Sequence, residues 1–247
     1  MRVTILGCGT SSGVPRIGGD WGACDPAEPR NRRRRVSILV EQNDTQVLVD
    51  TGPDLREQLI DAGVARLDAV IWTHDHADHC HGIDDLRQVY HARAAPVPGY
   101  ARPDTLATLR SRFGYVFAGN DGYPPTVIGA DLPDSFSIGP IAIRVVDQPH
   151  GTITSAGIRF DACGHSIGYS TDVNGLTDAM TELFAGIDLW IVDALRRRPH
   201  PSHASLSEAL GWIEAIAPKR ALLTHMDQSM DYHELTAELP PDRKSVV

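Results

Sequence analysis

Residues 74–79 read His-Asp-His-Ala-Asp-His, three imidazoles and two carboxylates within six positions. Imidazole nitrogen and carboxylate oxygen are the donors that borderline divalent ions such as zinc prefer. With 11 His among 247 residues, H-x-H-x-D-H arises by chance about 0.002 times in a chain of this length. His74 and His76 are two apart, and on extended backbone leaving a strand they project to one side. Asp78 and His79 follow one turn of chain later and can address a second ion. The spacing suits two neighbouring metals better than one.

Other chemistry-bearing residues recur at one kind of place. Asp50 follows the apolar run Val47–Val49, His74 follows Ala69–Trp72, and Asp172 follows Tyr169–Thr171. Asp193 follows Leu189–Val192, and His225 follows Ala221–Leu223. In α/β sheets the carboxyl ends of strands are where sites are assembled. One such residue would be an ordinary solvated strand end, but five together predict a shared site. His150, in the loop Gln148-Pro149-His150-Gly151 after a strand ending at Val146, is a weaker candidate taken alone. So is His203, just ahead of a helix capped at Ser205. His81 matches no ligand position. His91 on a helix, His165 in a turn and His233 in a terminal helix are read as structural or exposed.

The elements that must carry these residues are short apolar runs alternating with helical patterns. Val3–Leu6, Val36–Val40 and Val47–Val49 read as strands, the last two closing a hairpin at Asn43-Asp44. Pro53–Ala62 reads as a helix with Gly63 just past its end. Ile83, Leu86 and Tyr90 fall at helical spacing before Pro96. Phe136–Val146 and Ile158–Thr171 read as antiparallel strands turning at Gly139-Pro140 and Gly164. Ser205 and Glu208 have capping-box spacing ahead of the stripe Leu206, Ala209, Leu210 and Ile213. Arg220–Leu223 is a strand, followed by a short helix from Tyr232. Between Gly99 and Pro133 a helix around Leu106, Leu109 and Phe113 is all that the pattern yields. Mixed strands and helices, with no repeat or linker, predict an α/β or layered α+β fold in one domain over residues 1–247.

A hydrophobic content of 42% and a charged content of 22% argue against wholesale disorder. No apolar run approaches the roughly 18 residues of a membrane span, and the opening strand has no signal-peptide layout. A cytoplasmic chain without membrane contact is expected. The net charge of −9 disfavours nucleic acid as a partner, because such binding rests on phosphate neutralisation by Lys and Arg. Arg30 and Arg32–Arg35 are the local exception, read either as a solvated loop or as a phosphate-facing patch. Arg196, Arg197 and Arg198 allow the same two readings. Cys8, Cys24, Cys80 and Cys163 form no C-x-x-C pair and are read as reduced, buried small residues.

H-x-H-x-D-H after a buried strand, a later His, an Asp after a strand and Thr224-His225 near the end resemble the ligand pattern of the metallo-β-lactamase superfamily. The opening Leu6-Gly7-Cys8-Gly9-Thr10-Ser11-Ser12-Gly13-Val14-Pro15, with Asp25 to Arg35, is similar to the branch containing the phosphoribosyl 1,2-cyclic phosphate phosphodiesterases. The resemblance implies a four-layer αββα sandwich of two mixed sheets. It also implies one metal held by His74, His76 and His150, a second by Asp78, His79 and His225, and Asp172 bridging both. Asp50 would orient the ligand loop from behind. The resemblance makes His203 a catalytic residue that donates a proton to the leaving oxygen, and Asp78 a catalytic residue as well as a ligand. Relatives often carry a separate structural zinc site, but its positions here are Gly19, Trp21, Cys24 and Gln228. One thiolate cannot close a tetrahedral site, so that site is expected to be absent. The stretch Arg243-Lys244-Ser245-Val246-Val247 stops where relatives usually continue into a last strand, so a shorter edge is expected.

The function so implied is a phosphodiesterase in which a hydroxide bridging two divalent metals cleaves a small cyclic phosphate or nucleotide-like phosphodiester. Zinc is the first expectation for the metals, with manganese and iron compatible. A homodimer is the protein assembly considered. Three alternatives stand beside it: an RNA-processing endonuclease, a thioester hydrolase on the same site, and a non-catalytic relative that binds metal or ligand.

Overall fold

The computed structural model describes residues 1–120 and 122–239. Among the described residues, twelve strands form two six-stranded mixed sheets. The first holds β1 (Arg2–Gly7), β2 (Ser37–Gln42), β3 (Thr45–Val49), β4 (Ala69–Ile71), β5 (Val97–Ala101) and β6 (Val127–Asp131), side by side in that order. Its strands are antiparallel from β1 to β3 and parallel from β3 to β6. The second holds β7 (Ser135–Ile138), β8 (Ile141–His150), β9 (Ile153–Ala162), β10 (His165–Ser170), β11 (Leu189–Asp193) and β12 (Arg220–Thr224). Here β7 to β10 are antiparallel and β10 to β12 parallel. The helices are α1 (Leu55–Asp61), α2 (Ala77–Cys80), α3 (Leu86–Arg93), α4 (Pro103–Arg112), α5 (Gly114–Ala118), α6 (Asp178–Phe184), α7 (Leu206–Ile216) and α8 (Tyr232–Glu238).

Successive side chains on a strand face opposite ways, and here both faces are covered. Ile38, Val40, Val47 and Val49 point inward and meet Ile143, Ile158, Phe160 and Ile191 between the sheets. Leu39, Leu48, Val70 and Trp72 point outward against Leu55, Leu86, Leu106 and Leu109. On the far side, Trp190, Val192 and Leu223 meet Met180, Phe184, Ala209 and Ile213. The layering is helix, sheet, sheet, helix. Strands buried on both faces read as unbroken apolar runs, which is why Val47-Leu48-Val49 stands out in the sequence. The capping box at Ser205 and Glu208 starts α7. Among the described residues, no helix is long and apolar enough to cross a membrane.

Several local expectations need correction. β5 and β6 lie in the stretch where the pattern yields a helix alone. Val-Pro-Gly-Tyr-Ala is a poor strand signature, but Gly99 lies so close to Trp72 that a Cβ there would come within 2.6 Å of the indole. β8 continues past Val146 to His150, so His150 ends a strand, paired with Ile153, rather than standing in a loop. His165 opens β10 instead of lying in a turn, and the first helix starts at Leu55 rather than Pro53. The stretch from Arg243 to Val247 lies outside the described residues.

Candidate metal centre

Six polar residues sit at or just past strand ends: Asp50 after β3, His74 beyond β4, His150 ending β8, Asp172 beyond β10, Asp193 ending β11 and His225 after β12. Asp50, Asp172 and His225 adopt left-handed backbone, with φ of 65°, 54° and 60°. Such values are uncommon outside glycine. They occur where the chain turns abruptly off a strand and aims a polar side chain across the sheet edge. The rest comes from the loop after β4 and the short helix α2, which carry His76, Asp78 and His79.

Donor atoms of His74, His76, His150 and Asp172 all lie within 4.8 Å of one another, and so do those of Asp78, His79 and His225. Asp172 faces both groups. Its Oδ1 is 3.7 Å from His74 Nε2, 3.6 Å from His150 Nε2 and 3.5 Å from His225 Nε2. Its Oδ2 is 3.1 Å from His79 Nε2. Asp78 Oδ2 lies 3.4 Å from both His79 Nε2 and His225 Nε2. His150 Nε2 and His76 Nδ1 face each other at 3.3 Å.

The residues behind this cluster fix which nitrogen points inward. Asp50 is fully buried and accepts from His79 Nδ1 at 2.7 Å, from the Thr73 amide at 2.8 Å and from the Thr73 hydroxyl at 2.9 Å. His150 Nδ1 donates to the Ser202 carbonyl at 2.7 Å. His79 and His150 therefore both present Nε2 to the centre. His74 Nε2 is buried and hydrogen-bonds to nothing, and buried His79 Nε2, although 3.1 Å from Asp172 Oδ2, has no hydrogen bond of good geometry. Buried imidazole nitrogens rarely stay unsatisfied, and a cation between them is the partner that their geometry fits.

Charge is arranged accordingly. Burial alone would raise the Asp172 and Asp78 carboxyls, but neighbouring imidazoles outweigh it and hold both below the usual carboxylate range. Burial opposes charge on His225, yet Asp172 and Asp78 lift it to about 9. Burial and the proximity of His79 push His74 well below the ordinary histidine value.

His203 reaches the same cluster from the loop before α7. Its Nε2 is 3.8 Å from Asp172 Oδ1, and its Nδ1 lies 2.8 Å from Asp193 Oδ2. Sequence reasoning placed Asp193 in the strand-end set without giving it this partner. It missed Thr73 and Ser202 altogether, and neither carries a compositional signal. Asp75, inside the motif, turns away and pairs with Arg112 at 3.3 Å. His81 packs edge-on against Phe113, and His233 pairs with Glu28 at 2.8 Å.

The arginine run divides: Arg30 and Arg32 are exposed, Arg33 is buried, and Arg34 and Arg35 are half-buried, so it forms no continuous patch. Arg30 pairs with Glu28 at 2.6 Å and lies over Tyr232, while Arg32 lies over Trp21. Arg33 is buried, donating to the Met230 carbonyl at 2.6 Å and to Asn31 Oδ1 at 3.2 Å. Arg34 binds Asp61, and Arg35 binds Asp54 at 3.1 Å. Arg197 is paired with Glu238 at 2.5 Å, whereas Arg196 lines a cavity beside His203. Cys8, Cys24 and Cys80 are buried as expected, but Cys163 is exposed. Cys24 Sγ lies 3.7 Å from Arg33 Nη1.

The family model described as the beta-lactamase superfamily domain matches residues 45–226, the stretch from β3 to just past His225. The chain belongs to the metallo-β-lactamase superfamily. Within that superfamily its branch is PhnP-like. The crystal structure of a diphosphatase from the PhnP family superposes with a TM-score of 0.90 at 33% identity, covering 99% of this chain and 93% of the other. A curated octanoyltransferase from Porphyromonas gingivalis is 32% identical over 98% of this chain and 49% of its own length. A ribonuclease Z from Salinibacter ruber is 28% identical over 64% of this chain and 47% of its own. The chain thus spans about half the length of these two curated relatives.

Proposed function

We propose that the protein is a metal-dependent hydrolase that cleaves a phosphodiester bond in a small substrate, a cyclic phosphate or nucleotide-like diester, within a single domain. The observation that carries this reading is the convergence on Asp172 of two donor groups and of His203. His74, His76 and His150 would hold one ion, Asp78, His79 and His225 the other, with Asp172 shared between them. When bound, divalent ions supply Lewis acidity toward a phosphoryl group and activate water near neutral pH. Zinc suits this donor set, and an oxygen-and-nitrogen set also accepts manganese or iron.

The chain's own residues supply the rest. Asp78 and Asp172 return two negative charges against two divalent cations, which leaves the pocket positive and complementary to an anionic diester. Because His203 gives its Nδ1 hydrogen to Asp193, Nε2 is the atom facing the centre. A proton at that atom passes to the departing oxygen as the bond to phosphorus breaks. Asp193 holds the ring in that tautomer and steadies its charged form, as a buried carboxylate behind a catalytic imidazole does elsewhere.

Protein loaded with zinc or manganese should hydrolyse bis(p-nitrophenyl) phosphate and lose that activity with a chelator. Fully loaded protein inert on a broad diester panel would overturn the reading. Replacing His203 with Ala should lower kcat about 10²–10⁴-fold on a diester with an alkyl leaving group. The loss should be much smaller on the p-nitrophenyl ester, whose phenolate departs with little need of a proton. The relative with the ribonuclease name makes precursor tRNA a necessary control. Its cleavage at low protein concentration would redirect the proposal, although a net charge of −9 weighs against it.

A further inference from the structure

The loop 196–204, which carries His203, is closed at its neck and pinned along its length. The Leu195 amide donates to the Ala204 carbonyl at 3.0 Å, and the Leu206 amide to the Arg196 carbonyl at 2.9 Å. The Arg196 guanidinium braces the interior, donating to the Arg198 and Pro199 carbonyls at 3.3 and 3.0 Å. Asn174 Nδ2 holds the Pro201 carbonyl at 2.8 Å. Gly151 packs so closely that a Cβ there would stand 3.0 Å from Ser202 Cβ. The Ser202 carbonyl takes the Nδ1 hydrogen of His150, which ties the loop to the metal centre.

This braced loop presents a second imidazole beside His203. The ring centroids of His200 and His203 lie 5.1 Å apart. Both rings line a cavity of about 280 Å³ together with Thr10, Ser11 and Ser12. Their Nδ1 atoms meet partners of opposite kind. His203 Nδ1 faces the Asp193 carboxylate at 2.8 Å, which accepts. His200 Nδ1 faces the Ser202 amide at 3.3 Å, which donates.

A neutral imidazole has one donor nitrogen and one acceptor nitrogen. The Ser202 amide therefore makes Nδ1 of His200 the acceptor and puts the ring hydrogen on Nε2. Among the described residues, no hydrogen bond engages that Nε2. Burial, and then the proximity of His203 and Arg196, hold the His200 ring below the ordinary histidine value, which keeps it neutral.

We infer that His200 is a specificity-determining residue on the leaving-group side, whose Nε2 hydrogen bonds an oxygen on the carbon next to the one bearing the scissile oxygen. This deepens the proposed function and rests on it. The two imidazoles divide the work. His203 serves the scissile oxygen and sets the rate for every leaving group of a given acidity. His200 gives up no proton and selects among leaving groups instead. One that lacks the neighbouring oxygen leaves the Nε2 hydrogen unpaired when substrate fills the cavity, and an unpaired donor costs more than a missing contact.

Two diesters test this in the zinc-loaded protein, methyl ortho-methoxyphenyl phosphate and methyl ortho-ethylphenyl phosphate. Their leaving phenols match in shape and nearly in acidity, and differ by one ether oxygen. The ratio of kcat/KM should favour the methoxy ester by about three- to tenfold, what a neutral hydrogen bond contributes. His200→Leu should abolish that preference, and His200→Gln, whose amide keeps a donor at similar reach, should preserve part of it. His203→Ala should slow both esters by the same factor and leave the preference in place. Long-range ¹H–¹⁵N spectra should show a neutral His200 with its hydrogen on Nε2, a readout independent of turnover. Equal rates on the two esters, a preference that survives His200→Leu, a Gln variant no better than the Leu variant, or a hydrogen on Nδ1 of His200 would each overturn the inference. Any of these alongside turnover of bis(p-nitrophenyl) phosphate leaves the proposed function standing. Inactivity of the loaded protein on all three esters removes both.

Discussion

Asp193 acts through the position of one proton. Its Oδ2 accepts from His203 Nδ1 at 2.8 Å and from the Val173 amide at 3.1 Å. In Asp193→Asn the amide nitrogen can donate to His203 Nδ1 and drive the ring hydrogen to Nε2, giving a neutral ring that is a far weaker proton donor than the imidazolium a carboxylate supports. The expected result is a fall in kcat of about 10²–10⁴ on a diester with an alkyl leaving group and a much smaller fall on the p-nitrophenyl ester. A purely structural role would lower both rates equally. At this scale much of the cluster was legible in the sequence. The spacing of His74, His76, Asp78 and His79 and the strand-end placement of Asp50, Asp172 and His225 all survive into the geometry. Thr73 did not show, because one hydroxyl beside a motif has no periodicity and no compositional weight. Nor did the pairing of Asp193 with His203, which depends on how the loop after β11 folds back.

Among the elements, β5 shows how a packing requirement can hide a strand. Pro98 and Gly99 weaken its pattern, yet Gly99 is where the Trp72 ring lies against the sheet. Gly99→Ala would place a Cβ 2.6 Å from the Trp72 ring and 2.7 Å from Val127 Cγ1. Overpacking of this kind costs about 1–3 kcal/mol, readable by urea denaturation followed through tryptophan fluorescence. Strands flanked by turns, such as β2 and β3, read clearly because Asn43, at φ 53°, closes their hairpin. At the other end of the chain Asp231 caps α8, accepting from the His233 and Glu234 amides at 2.9 and 3.0 Å and from Asn31 Nδ2 at 2.7 Å. Burial would raise its carboxyl, but these donors and the Asp25 amide hold it at about 2. Asp231→Ala should cost about 0.5–2 kcal/mol. Because the folded pKa is depressed, the stabilisation is full above the unfolded carboxylate value of about 3.9 and fades as pH falls toward 2. The gap between wild type and Asp231→Ala should therefore narrow steadily between pH 5 and pH 2.

For the molecule as a whole, the two sheets meet at an edge crowded with buried imidazoles and carboxylates that a cation would satisfy. Zinc added at a hundred times its dissociation constant should stabilise the fold by about 2.7 kcal/mol. For a chain of this size that is a rise in Tm of roughly 5–11 °C by scanning calorimetry. Asp172→Ala, at the residue common to both donor groups, should remove most of that rise. An unchanged Tm in wild-type protein would show that the cluster holds no ion. The α/β class was readable from the mixture of strand and helix patterns, while the four-layer arrangement came from the family resemblance. The pairing order was not readable, because β5 and β6 form the parallel edge of the first sheet from the stretch with the weakest pattern.

The left-handed conformations at Asp50, Asp172 and His225 bear on how this chain can change over generations. Each is unfavourable by about 1–3 kcal/mol for a residue with a side chain, and glycine adopts it freely. A glycine at any of the three would remove a donor or its support and relax the backbone in the same step. A gene copy no longer selected for turnover is free to shed that strain together with the donors, and only continued selection for the chemistry keeps the strained residues in place.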